Sequence, residues 1–275
     1  MQLCLTETRP PQSGYENMGD EKMRKGSFLN AEKPLLTVMV QADNPDRIEY
    51  LVNASLTEGA EAFGMQFELM NPEYRTGETY EQLFSLTRLL PVYVTNYRSR
   101  QNEGRNDNVL AEELIELAKH GATLCDVMGD YFDPCDGELT MNEIAIQKQI
   151  KLIDTLHETG AEVLMSSHIN KFTPAEMVLE IALEHKRRGA DISKIVTRAE
   201  NMEQQIENLR ILSLLKNYLG IPFLFLSGGE CHISRRLGST LGNCMTLCIY
   251  EQDMYSYNAQ PLLKDAKLLR DTLGF

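Results

Sequence analysis

Eight short apolar runs, each separated from the next by an amphipathic stretch, constrain this chain more than any other feature. The runs are LLTVMVQ ending near Gln41, AFGMQFEL to Leu69, PVYVTNY to Tyr97, TLCDVM to Met128, EVLMSSH to His168, ISKIVTRA to Ala199, PFLFLSG to Gly228 and NCMTLCIY to Tyr250. Between them, stretches such as DNVLAEELIELAKHGA, TMNEIAIQKQIKLIDTLHETGA and TPAEMVLEIALEHKRRGA repeat apolar residues at three and four spacing, the period of a half-buried helix. Several end on a glycine just past the last periodic residue (Gly121, Gly160, Gly189, Gly220), where a left-handed cap belongs. Thr173-Pro174 predicts a helix start, with Thr173 as N-cap and Pro174 at the first helical position. A last helical pattern runs through LLKDAKLLRDTLG. Eight strands alternating with helices in 275 residues predict an α/β fold, a (β/α)8 TIM barrel, which takes ~250 residues. An open doubly wound sheet is the weaker alternative.

Residues 1–33 lack a sustained period and carry Pro10-Pro11 and Gly14, so they read as an N-terminal extension, partly pairing near Phe28-Leu29; the single barrel domain is expected over 34–275. The 27 basic against 40 acidic residues give a net charge of −13, which repels phosphate backbones and anionic membranes. Neither nucleic acid nor membrane is therefore an expected partner, and no apolar run of spanning length or signal-peptide pattern occurs. The six cysteines form no close C-x-x-C pair, so no metal site is expected, and Cys244 and Cys248, four apart, read as packing on one face of a strand. A reduced, cytoplasmic protein follows as the simplest expectation.

In such a barrel reactive residues gather at the C-terminal ends of the strands. Those placed there are Glu68, Arg98 with Glu103 beyond it, Asp126, His168, Lys194 with Arg198, Arg235, Ser256 and Gln260. Lys194 alone reads as a rim lysine reaching solvent, and His168 alone as a hydrogen-bonded core or loop histidine. Together, on adjacent strands, they are the parts a Schiff-base enzyme needs: an amine to attack a carbonyl and an imidazole to move the neighbouring proton. No dinucleotide, Walker, zincin or nucleophile-elbow motif occurs. The glycines and arginines of SGGECHISRRLGSTLGN suit a phosphate cradle, but tight turns explain the same glycines.

At these residues the chain resembles the type I 3-dehydroquinate dehydratases, from about Pro34 to the C-terminus. His168 is followed five positions later by Thr173-Pro174, and Lys194 stands in Ala190-Asp191-Ile192-Ser193-Lys194-Ile195. Ile233-Ser234-Arg235 precedes Gly238 and Gly242, and Ser256 and Gln260 lie four apart after the eighth run. The resemblance implies Schiff-base dehydration of 3-dehydroquinate to 3-dehydroshikimate, a step of the shikimate pathway of aromatic amino acid biosynthesis, with no metal or organic cofactor. It implies Lys194 as the imine-forming residue, His168 as general acid and base, and Glu103 as the acid that orients the imidazole. Arg235, Gln260 and Ser256 would hold the substrate carboxylate, with Glu68 and Arg98 also at the substrate. A homodimer is expected.

Several positions depart from the family pattern. Met70 stands where the family has an arginine, and Met128 where it has a glutamate; Arg98 and Glu103 are one residue farther apart than in relatives; Ile169-Asn170 replaces Asp-Phe; and Arg198 replaces a methionine. Lys194 and Arg198 are an even number apart, so a regular strand would point both into the barrel, where Arg198 could fill the space of the lost arginine. A related Schiff-base lyase or aldolase acting on a different oxo-acid is the nearest alternative, and a non-catalytic binding protein on the same barrel is the third.

Overall fold

The structure, a computed structural model, describes residues 26–274. Eight parallel strands are β1 (Leu35–Val40), β2 (Ala62–Gln66), β3 (Val92–Thr95), β4 (Leu124–Met128), β5 (Glu162–His168), β6 (Ile192–Arg198), β7 (Phe223–Gly228) and β8 (Met245–Cys248). The helices between and after them are α1 (Pro45–Glu58), α2 (Gly77–Leu86), α3 (Asp107–Lys119), α4 (Glu143–Glu158), α5 (Ala175–Arg187), α6 (Met202–Tyr218), the single turn α7 (Ser234–Leu237) and α8 (Leu263–Leu273). The strands pair in the order β7-β6-β5-β4-β3-β2-β1-β8, the circuit of a (β/α)8 barrel.

One apolar cluster takes a residue from every strand, Met39, Ala62, Tyr93, Leu124, Leu164, Ile192, Leu224 and Met245, and so fills the barrel interior. Strand residues of the opposite parity, such as Val38, Phe63, Val94, Cys125, Val163 and Ile195, pack outward against the helices. This alternation sets the frame for the site, because each inward position two residues farther along a strand is one layer nearer the mouth.

The seam between β7 and β8 is closed mostly by one side chain. Asn243 Oδ1 accepts the Phe225 N–H (2.8 Å), its Nδ2 donates to the Phe225 carbonyl (3.0 Å), and the Cys244 N–H donates to the Phe223 carbonyl (2.9 Å). At the opposite end of the barrel, Phe28 is buried against the interior cluster, and its N–H donates to Glu162 at the start of β5 (3.0 Å). Residues 28–30 form a bend and turn rather than the expected strand pairing, since Ser27 also bonds Glu162 and caps that turn. Residues 1–25 of the expected extension lie outside the described residues.

The expected glycine caps form, as at Gly121 (φ 120°) and Gly160 (φ 86°). The start of α5 differs. Pro174 is the cap residue there, Thr173 makes no capping bond, and the Ala175 N–H is taken instead by Glu207 of α6 (2.9 Å). The two late cysteines both pack, but not on one face: Cys248 belongs to the outer layer, while Cys244 precedes β8 and lies against the interior cluster. Among the described residues no helix is long and apolar enough to cross a membrane.

Candidate active site

Inward parity carries Tyr93 and Tyr97 from β3 and its extension, Asp126 from β4, Ser166 and His168 from β5 and Lys194 from β6 into one polar region that rises from the apolar floor towards the mouth. Lys194 Nζ donates to Tyr97 Oη (2.5 Å), Tyr93 Oη (2.9 Å) and Asp126 Oδ2 (3.2 Å). Asp126 is wholly buried and is itself held by both phenols and by the Ser166 hydroxyl on its other oxygen (2.5 Å). Burial and the adjoining Asp126 charge push both phenols well above the ordinary tyrosine range, so each stays neutral. On the strand-two side Glu68 is buried, accepts hydrogen bonds from Thr95 and Gln66, and is raised by burial, with the Asp126 charge adding to the shift.

His168 stands one layer nearer the mouth than Lys194, since Ser166 pairs with Lys194 and His168 with Val196. Its ring meets the Tyr97 ring edge to face at 5.3 Å. Its Nδ1 bonds Glu138 Oε2 (2.6 Å), which also accepts the His168 backbone N–H (3.1 Å). Glu138 is on the long loop between β4 and α4. That loop is fixed from behind by Arg188, buried, which donates to the Gly129 carbonyl (2.9 Å), the Thr140 carbonyl (2.6 Å) and Gln149 (2.8 Å). Gly129 is required here: a Cβ would stand 2.5 Å from the Glu138 carbonyl oxygen.

Past β7, Arg235 Nε donates to the Ser227 carbonyl (2.8 Å) and its guanidinium lies over the Tyr257 ring at 4.6 Å. Burial lowers it to about 10, with no carboxylate among the described residues offsetting that cost. A half-buried cation in this condition suits an incoming anion. Gln260 is buried, and its Oε1 has no hydrogen-bond partner among the described residues.

The sequence pattern of the family described as Type I 3-dehydroquinase matches residues 36–274. The chain belongs to the type I 3-dehydroquinase family. It is similar to the 3-dehydroquinate dehydratases of Syntrophotalea carbinolica (29% identical over 117 residues, 42% of this chain and 45% of the relative) and Geobacillus thermodenitrificans (25% over 177 residues, 63% and 65%). Both matches span under two thirds of the relative's length. Among solved structures it resembles 3-dehydroquinate dehydratase from Geobacillus kaustophilus (TM-score 0.76, 16% identity, 90% of this chain and 93% of that one). It also resembles the type I enzyme from Clostridium difficile carrying covalently modified comenic acid (TM-score 0.74, 17%, 91% and 98%).

Within this barrel, the expected residues are not all brought together. Lys194, His168 and Glu68 line the interior, and around its mouth Gln260 is buried and Arg235 half-buried. Glu103 is not the partner of His168: it is exposed at the end of a short turn, and Glu138 holds the imidazole instead. Arg98 has the parity opposite to Tyr97 and turns out of the barrel, where Asp107 grips it bidentately (2.7 and 2.8 Å) and Asp130 takes a third bond (2.7 Å). Burial disfavours its charge, but these bonds outweigh that and hold Arg98 above the ordinary range. Arg198 does not reach across the mouth; it lies at the rim on Glu200 (2.9 Å) and Asn170 (3.4 Å). Met70 is buried in the outer apolar layer, whereas Met128 is buried at the end of β4 on the inward parity of Asp126, paired with Ser166. Ser256 spends its hydroxyl on Asp253 (2.8 Å) within its own loop. Tyr93, Tyr97, Ser166 and Glu138 were not expected at the site. Tyr93 and Tyr97 carried a readable signal, because they share the parity that opposes Asp126 and Lys194 across β3, β4 and β6. Glu138 carried none.

Proposed function

We propose that this family member dehydrates 3-dehydroquinate to 3-dehydroshikimate through a Schiff base on Lys194. The observation that carries the proposal is a buried lysine amine that shares Tyr97 with the mouth histidine. Lys194 Nζ attacks the substrate ketone, and water leaves as the C=N bond forms. The iminium draws electrons from the adjacent C–H bond; His168 takes that proton, with Glu138 holding the ring at Nδ1, and returns a proton to the departing hydroxyl. Hydrolysis then frees Lys194. Arg235 holds the substrate carboxylate with help from Gln260, and Glu68 meets a substrate hydroxyl. The chain's own groups suffice for each step. The same reading takes the enzyme as a cytoplasmic homodimer, and the free thiols of the described cysteines suit a reducing compartment.

The test is borohydride reduction in the presence of dehydroquinate followed by intact mass and peptide mapping. One adduct on Lys194, absent in Lys194→Met, is the expected result; turnover without an adduct on Lys194 would overturn the covalent assignment. A different oxo-acid substrate is the second reading. It is favoured by the burial of Met70 among apolar groups and the engagement of Arg98 and Arg198 with acids, which leave substrate hydroxyls without those cations. Turnover of another oxo-acid well above that of dehydroquinate would select it.

A further inference from the structure

Imine chemistry at a buried lysine raises a proton problem. An ammonium cannot attack a carbonyl, so Lys194 must first lose a proton, and the carbinolamine hydroxyl must later gain one to leave as water. Both transfers need a partner in contact with Nζ, because the Lys194 side chain is only 7% exposed. Its hydrogen bonds run to three oxygens: Tyr93, Tyr97 and Asp126. Asp126 can store a proton, yet it lies 3.2 Å from Nζ, deeper in the barrel and with its oxygens already occupied. Tyr93 is fully buried beneath the lysine. Tyr97 differs from both. Its hydroxyl makes the shortest contact with Nζ, it donates to Asp126 Oδ2 at 2.5 Å, and its partly exposed ring faces His168 on the side from which substrate enters.

We infer that Tyr97 is a catalytic acid and base for imine formation, passing one proton between Lys194 and Asp126. The inference rests on the Schiff-base reading and gives that site a residue the mechanism above does not use. In the forward direction Tyr97 gives its phenolic proton to Asp126 and takes one from the Lys194 ammonium. The neutral amine then adds to the ketone, and the proton on the new C–N nitrogen moves to the alkoxide to give the carbinolamine. Asp126 returns its proton through Tyr97 to the carbinolamine hydroxyl, the C–O bond breaks, and water leaves with that pair of electrons. The balance is one ammonium and one ketone to one iminium and one water, with Tyr97 and Asp126 restored. A relay that both donates and accepts must begin neutral, as Tyr97 does in this site. His168 remains free for the C–H step, so the two proton tasks fall to different groups.

The experiment compares the wild type, Tyr97→Phe and His168→Ala by rapid-mixing borohydride trapping with dehydroquinate, by the deuterium isotope effect at the abstracted C–H, and by trapping with glyoxylate, a small aldehyde that any neutral amine attacks. Tyr97→Phe is expected to slow both trapping reactions by about 10²-fold and to bring the isotope effect towards one, because imine formation becomes limiting. His168→Ala should trap quickly and fail to turn over. Should Tyr97→Phe fold poorly by circular dichroism, Asp126→Asn takes its place, since loss of the terminal proton acceptor should slow the same step. Trapping by the tested variant as fast as by the wild type would overturn the relay. If the wild type traps glyoxylate on Lys194 but not dehydroquinate, the substrate reading fails and the glyoxylate rates still decide the relay.

Discussion

The imidazole of His168 is oriented by a carboxylate that no nearby motif announces. Nδ1 bound to Glu138 fixes which ring nitrogen faces the barrel and sets a carboxylate charge beside the ring. Glu138→Gln keeps an acceptor oxygen for the backbone and ring N–H groups but removes that charge. It is expected to lower kcat by about 10²-fold with little change in KM, while borohydride trapping on Lys194 persists. Glu103→Gln, on an exposed side chain, is expected to leave both constants within about twofold. Steady-state kinetics of the two variants side by side check the assignment, and the reverse ranking would return the role to Glu103. The backbone has Glu138 at φ 49°, between Gly137 and a loop clamped by Arg188, so its position is built by tertiary contacts.

At the scale of elements, period and parity made most of the architecture legible, and the misplacements have physical reasons. Short apolar runs identified every strand, and Lys194 and His168 fall on the inward parity of theirs. The same rule explains Arg98: on a strand where Tyr93, Thr95 and Tyr97 face inward, residue 98 cannot. Arg198 has the right parity, but it ends its strand beyond the packed interior, where Glu200 two residues on is a nearer partner than anything across the mouth. Glu138 lies in a loop with no period, so nothing local placed it. A third group escaped notice because it serves packing. His185 of α5 is fully buried and ties that helix to two strands, with Nδ1 to Ser193 of β6 (2.9 Å) and Nε2 to Ser167 of β5 (3.0 Å). Burial, aided by the nearby Arg188 charge, lowers its pKa to about 3 from 6.5. The folded pKa lies below the unfolded one, so the unfolded chain binds the extra proton, and the stabilisation is complete above pH 6.5 and lost as pH falls towards 3. That loss is about 1.4 kcal/mol per pH unit within the window. His185→Gln should therefore be less stable than the wild type at pH 7, with the gap narrowing steadily in urea titrations at pH 6, 5 and 4. Parallel stability curves would mean that His185 is not held neutral by the fold.

At the scale of the whole molecule, two features govern whether the site exists: a local cation inside an acidic protein, and a closed ring of strands. The net charge of −13 opposes an anionic ligand at long range, but salt screens exposed charges beyond about 8 Å under physiological conditions, so the half-buried Arg235 and the buried Lys194 decide what happens inside the mouth. Closure is the more fragile condition. The ring of strand pairing is completed between β7 and β8 by the Asn243 amide, which supplies both the donor and the acceptor that a neighbouring strand would offer to Phe225. Its own N–H is anchored on the Gly238 carbonyl (3.0 Å), so the side chain is delivered from the turn that follows α7, the helix that carries Arg235. Asn243→Ala strands a buried N–H and a buried carbonyl at once, and is expected to cost about 2–4 kcal/mol. Asn243→Asp restores the acceptor but places an oxygen against the Phe225 carbonyl, and should cost as much or more. Urea midpoints measure the loss. Amide hydrogen exchange locates it: the Phe225 N–H should lose protection in the alanine variant while the Lys194 amide on β6 keeps most of its own. A Phe225 amide as protected as in the parent would show that the barrel closes without the Asn243 bridge.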